Sequence, residues 1–212
     1  MTRDLVVIGA GGFGREVLDV VDAINASTDA AWSVRGVVDD APSQENLERL
    51  AKRGVTYLGG SAEVLDSQPA AYVVGIGSPS VRTKVALSFD AAGWSAATLI
   101  HPTVTQGFDV TIGAGSVLCA GVRLTTNIRL GRHVHVNLNS TIGHDTTIED
   151  FVSINPLASI SGDCTIESGV LVGVAGIVLN GLRIGADSTV GGSACVVRDV
   201  PAETTVKGVP AR

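Results

Sequence analysis

From Thr103 onward the chain places an aliphatic residue at every sixth position. Cut into blocks of six, residues 103–198 run from TVTQGF, DVTIGA and GSVLCA through NSTIGH and DTTIED to SACVVR, sixteen blocks without interruption. The fourth position is Ile, Leu or Val in fifteen of them, Gln106 being the exception, and the second is small or aliphatic throughout. A period of six is incommensurate with the 3.6 residues of an α-helical turn. It suits short strands joined by turns, with the second and fourth residues both pointing inward. The pattern therefore predicts a stack of thin coils, each contacting only its neighbours.

Ahead of the repeat the apolar residues are grouped differently. Residues 4–14, DLVVIGAGGFG, read as a buried strand running into Gly9-x-Gly11-x-x-Gly14, and a helical pattern follows over Arg15–Asp22. A second strand, Val34–Val38, ends in Asp39 and Asp40, and a third apolar run, Ala70–Ile76, leads into Gly77 and Ser78. Three strand ends thus present loops on the carboxyl side of a parallel sheet. The glycines permit a tight turn and close approach of a phosphate to a helix N-terminus, and the aspartates stand where a ribose or base is hydrogen-bonded. An NAD-dependent dehydrogenase is the rival reading. A full dinucleotide fold needs two mononucleotide halves, whereas the repeat leaves room for one and a fragment. The expected architecture is α/β plus β: a Rossmann-like βαβ domain over residues 1–100, then a β domain with a C-terminal tail over 101–212.

Composition agrees with thin layers: 26 glycines and only 4% aromatic residues among 212 suit regular Val, Ile and Ala layers better than a bulky core. A formal charge of -6 with no basic run gives no footprint for nucleic acid or an anionic membrane, so neither is expected as a partner. The opening apolar stretch is too short for a signal or a membrane span. Three cysteines, Cys119, Cys164 and Cys195, show neither CxxC spacing nor an even count, and a reducing cytoplasm is expected.

The six-residue period is similar to that of the hexapeptide-repeat left-handed parallel β-helix. Taken with GAGGFGRE and VVDD in front, IGHD within the repeat and KGVPAR at the end, the whole chain resembles the sialic-acid and bacillosamine-type sugar O/N-acetyltransferases. The resemblance implies three blocks per triangular coil, left-handed winding and a homotrimer with cofactor sites between adjacent helices. It also implies acetyl transfer from acetyl-CoA to the amino group of a nucleotide-activated amino-deoxy sugar, for surface-glycan synthesis. O-acetylation of a sugar or small molecule, and a noncatalytic nucleotide-sugar-binding module, are the alternatives.

Carried over by residue, His144 of IGHD is the general base for direct transfer, since an imidazole accepts a proton at cytoplasmic pH. Asp145 raises its basicity, and Asn137 stands near the acceptor. Gly11, Gly12, Phe13, Asp39, Asp40 and Gly77 contact the nucleotide sugar. Gly162, Val174 and Gly192 line the acetyl-CoA groove, with Gly208–Ala211 packed close by. Phe13 and Ser153 occupy positions where some relatives carry histidine. An eighteen-residue coil stacks Gly162 beside His144, where its N–H can stabilise an oxyanion by roughly 3 kcal/mol. His133 and His135, two residues apart, are expected to share a strand beside the base. No metal is expected, because the zinc-dependent hexapeptide-repeat carbonic anhydrases need an H-x4-H pair that residues 133, 135 and 144 lack.

Overall fold

The computed structural model describes residues 2–28 and 32–212. Strands β1 (Arg3–Ile8), β2 (Trp32–Val38), β3 (Ala71–Val74) and β4 (Ser95–Ala96) form one parallel sheet in the order β2-β1-β3-β4. Helices cover both faces, which is why these strands are apolar on both sides. Leu5 and Val7 of β1 pack with Val17, Leu18 and Val21 of α1 (Gly12–Ser27). Val6 and Ile8 face the other way, toward Ala86 and Phe89 of α4 (Pro79–Ala91) and Trp94. Two short helices, α2 (Gln44–Lys52) and α3 (Ser61–Leu65), lie in the crossover from β2 to β3. The chain leaves β1 on one side for β2 and returns on the other for β3, so a crevice opens at their carboxyl ends.

Two glycines make that crevice tight. A Cβ on Gly14 would sit 1.8 Å from the Gly9 carbonyl oxygen, and one on Gly75 would sit 2.5 Å from the Gly14 Cα. Strand ends and helix start therefore touch backbone to backbone.

The remainder is a parallel β-solenoid whose three faces carry seven, six and five strands. The first face opens with β5 (Leu99–Ile100) and continues through Val117–Leu118, His135–Val136 and Ser153–Ile154. The second holds Arg123–Leu124, Thr141–Ile142 and Ser159–Ile160; the third holds Ile128–Leu130, Thr147–Ile148 and Thr165–Ile166. Paired residues are eighteen apart, except in the last coil, where Thr189 pairs with Thr205. Second- and fourth-position side chains such as Val122, Leu124, Ile148 and Ile154 fill one continuous core. Strands appear in front of and behind residues 103–198, so the solenoid is longer than the six-residue pattern predicts. The tail closes its end, with Cys195 N–H donating to Gly208 O at 2.9 Å and Ala211 N–H to Cys195 O at 2.7 Å.

From Asp109 onward each corner is turned by the first residue of a block, which takes a left-handed conformation: Asn127, Asp145 and Asp163 have φ of 56°, 58° and 59°. That conformation costs a non-glycine residue about 1–2 kcal/mol, least for Asn and Asp, and the ladder offsets it. Asp145 N–H donates to Thr126 O at 3.0 Å and Asp163 N–H to His144 O at 2.7 Å.

Third-position residues point outward, and their fate depends on the face. Thr111, Arg129, Thr147 and Arg183 on the third face meet solvent, whereas Val117, His135 and Ser153 on the first are buried under the α/β region. His133 and His135 do not share a strand as expected: His135 opens the strand His135–Val136, His133 is a corner residue with φ 53°, and both are buried between the two halves. The His135 ring lies 4.7 Å from that of Phe13, and His133 stacks on Phe151 at 5.2 Å with 3° between planes.

Neither ring nitrogen of His133 has a hydrogen-bond partner among the described residues. Burial pushes this imidazole down to about 4; Arg132 and Arg82 act in the same direction, Asp90 and Asp150 against it. Between the ordinary imidazole value near 6.5 and about 4, the unfolded chain holds a proton that the folded chain refuses, so stability falls as pH drops through that window. The loss for this group reaches about 3 kcal/mol. Thermal midpoints measured from pH 7 to 4 should decline, and less steeply in His133→Asn, which keeps a residue tolerant of the left-handed corner.

Candidate active site

His144 closes its block at the edge between the second and third faces, and its side chain is 61% exposed. Neighbouring residues on a strand point to opposite sides. At this corner the left-handed turn of Asp145 swings its carboxylate back, so that Oδ2 lies 2.7 Å from His144 Nδ1. Asp145 Oδ1 accepts a second hydrogen bond from Asn127 Nδ2 at 2.8 Å. The Asn127 bond first, and then the His144 bond, hold the Asp145 carboxyl below its ordinary value. A carboxylate that accepts from Nδ1–H fixes the tautomer and leaves the Nε2 lone pair free to take a proton.

Asn127 went unremarked in the sequence, although it sits eighteen residues before Asp145 at the same corner position. Asn127→Gly, which removes the side chain but keeps a residue at ease in the left-handed corner, should lower kcat by several-fold with little change in melting temperature, since the histidine keeps its carboxylate but the carboxylate loses its anchor. Steady-state kinetics with thermal melts will check this.

Gly162 lies under the imidazole, as the eighteen-residue stacking predicts. A Cβ there would come within 2.4 Å of His144 Nε2 and 2.5 Å of Cε1, so only glycine leaves the ring this seat. The Gly162 N–H makes no hydrogen bond among the described residues. Val174 and Gly192 stack one coil apart at a different edge, between the first and second faces, where Val174 is 51% exposed. Asn137 shares that edge but is buried, with Nδ2 donating to Ile154 O at 3.2 Å. Within one chain, then, Asn137, Val174 and Gly192 stand a full face away from His144.

A second concavity, a cleft of about 190 Å³, opens at the carboxyl ends of β1, β2 and β3 and is lined by Gly9, Asp39, Asp40, Ser61 and Ile76. Both aspartates brace its rim. Asp39 accepts from Ala10 N–H at 2.8 Å and Ala41 N–H at 3.0 Å, and Asp40 accepts from Ser61 N–H at 2.6 Å. Gly11, Gly12 and Gly77 face open space. The α1 N-terminus has no side-chain cap, so its unpaired amides present partial positive charge. Phe13, expected at the ligand, instead turns its ring onto His135. Ser153 is buried against the solenoid side of the Gly77 loop, its hydroxyl donating to Gly77 O at 2.9 Å.

Residues 4–89 match the family described as PglD N-terminal domain. Over 212 aligned residues the chain is 28% identical to GDP-perosamine N-acetyltransferase of Escherichia coli O157:H7, covering 97% of this chain and 94% of that protein. Its structure superposes on a variant of perosamine N-acetyltransferase from Caulobacter crescentus in complex with CoA and GDP-perosamine. There the TM-score is 0.88 at 26% identity, over 99% of this chain and 95% of that one. The acetyltransferase domain of PglB from Neisseria gonorrhoeae FA1090 gives 0.86 at 27% identity, over 100% and 99%. The solenoid shares their winding and is a left-handed parallel β-helix.

Proposed function

We propose that the chain is a hexapeptide-repeat nucleotide-sugar acetyltransferase, which transfers acetyl from acetyl-CoA to the amino group of a nucleotide-linked amino-deoxy sugar. The observation that carries the reading is the His144 seat: an exposed imidazole, oriented by Asp145 and Asn127, over a glycine with an unpaired N–H. The similar solved structure with both CoA and GDP-perosamine bound supports the choice of donor and acceptor class.

When bound, acetyl-CoA supplies a thioester carbonyl. His144 Nε2 takes a proton from the acceptor amine as nitrogen bonds to that carbonyl carbon, and Asp145 stabilises the imidazolium that forms. The Gly162 N–H donates to the oxygen as it gains charge. When the carbon–sulfur bond breaks, His144 returns the proton to the leaving thiolate, so the imidazole ends neutral. Val174 and Gly192 form an open ledge for the pantetheine arm. The nucleotide lies in the glycine-lined cleft, against the positive end of α1.

One prism holds the ledge and His144 on different edges, and the cleft lies over the first face. Two copies side by side bring such edges together. The second face and its border with the first expose Leu138, Leu157, Val174, Ile177, Leu179 and Val197, between 39% and 59% each, while the third face is polar. A copy packed on that apolar side, repeated three times, closes a homotrimer with shared sites. The cytoplasm is the proposed location, since the three cysteines stand unpaired, as a reducing compartment keeps them. No helix among the described residues is long and apolar enough to cross a membrane.

CoA release, measured across nucleotide amino sugars starting with GDP-perosamine, tests the activity. Acetyl-CoA-dependent product on the amine is expected. Product on a hydroxyl would move the reaction to O-acetylation, and absence of both turnover and acetyl-CoA binding would overturn the enzyme reading. Light scattering should give three times the chain mass.

A further inference from the structure

Arg82, in the first turn of α4, is wholly buried, and each of its five N–H groups has an acceptor. Nε–H donates to His133 O at 3.0 Å, Nη1 to Ile76 O at 2.9 Å and Gly77 O at 3.2 Å, and Nη2 to Phe151 O at 2.6 Å and Ser153 Oγ at 3.0 Å. The Ser153 hydroxyl passes the chain of bonds on to Gly77 O. None of these acceptors is a carboxylate. Burial pulls the guanidinium down to about 9, which leaves it a cation at neutral pH. A buried, unpaired charge is tolerated only when its donors are all satisfied, so the five acceptors must hold their places for the cation to stay.

Those acceptors come from both halves of the molecule. Ile76 and Gly77 form the loop after β3, and Ile76 lines the nucleotide cleft; His133, Phe151 and Ser153 belong to adjacent solenoid coils on the first face. We infer that Arg82, with Ser153 as its relay, is a positioning residue that fixes the Ile76–Gly77 wall of the cleft against the solenoid and so sets where the acceptor sugar is presented. The inference rests on the acetyl-transfer reading above. It also makes the burial of Ser153 functional: the hydroxyl is spent on the clamp and does not reach a ligand.

Arg82→Met, Arg82→Lys and Ser153→Ala test it, with the acceptor that the wild type turns over. Because small misplacements of a bound substrate are costly, Arg82→Met should raise KM for the nucleotide sugar roughly ten- to hundredfold. Arg82→Lys and Ser153→Ala should raise it less, and KM for acetyl-CoA and the pH profile should not move in any of them. Amide hydrogen exchange over residues 75–78 should quicken, while residues 141–166 stay protected. Unchanged acceptor KM and unchanged loop exchange in folded variants, or an equal rise in both KM values, would overturn the proposal. Should Arg82→Met fail to fold, the other two variants decide the matter. If the wild type acetylates no nucleotide sugar, the functional reading falls, and loop exchange still judges the clamp.

Discussion

Replacing His144 with alanine is expected to lower kcat by roughly 10²- to 10⁴-fold, the range supplied by a positioned proton acceptor. Binding of either substrate should change little, because the side chain is mostly exposed and supports no neighbour's packing. The fall should therefore appear in kcat and kcat/KM alike, which marks an interaction made in the transition state. The wild-type pH–rate profile should contain a limb that the variant lacks, as removal of the proton acceptor requires. Asp145→Asn should cost less, since it weakens the stabilisation of imidazolium without removing the acceptor. A trimeric His144→Ala that turned over at the wild-type rate would refute general-base catalysis by this residue and leave positioning to carry the reaction.

Gly162→Ala is expected to lower kcat by roughly a hundredfold, although it adds a single methyl group, because displacement of a catalytic group by about 1 Å costs that much. The added carbon would fall 2.4 Å from His144 Nε2, so something must move, and what moves is an exposed ring held by its single bond to Asp145. Folding should tolerate this and melting temperature should stay near the wild-type value. The contrast with Gly14 is instructive, since a Cβ there meets the Gly9 backbone 1.8 Å away and has nothing soft to displace. Alanine at 14 should cost stability, whereas alanine at 162 should cost chemistry. Kinetics and calorimetric melts on Gly162→Ala separate the two, and a parallel loss of both would return Gly162 to a structural role.

Much of the solenoid was legible because its core positions repeat in sequence order: fourth residues such as Ile142, Ile148 and Ile154 are inward whichever face they are on. What lies outside the prism was not legible. The third position reads the same in HVHVNL and NSTIGH, but His135 is buried and Thr141 exposed, because the α/β region covers one face only. His133 and Arg82 were hidden by the same docking; in sequence Arg82 is an ordinary helix arginine. The stacking of His144 on Gly162 was legible from coil length alone, and the same eighteen-residue step links Asn127 to Asp145. That second link needed the left-handed corner to be seen, since extended neighbours would hold His144 and Asp145 apart.

The eighteen-residue coil also gives this protein a structural reading frame. Losing one block of six would keep every aliphatic residue facing inward, and the core would look intact. Everything downstream, however, would turn by one face. Without residues 163–168, Val174 would move from the border of the first and second faces to the border of the third and first. Removing eighteen residues, 163–180, would instead bring Gly192 to the place of Val174 and leave His144 on its glycine. Changes in length are thus in frame in eighteens and out of frame in sixes, and related chains of different lengths should differ by whole coils wherever this edge chemistry is kept.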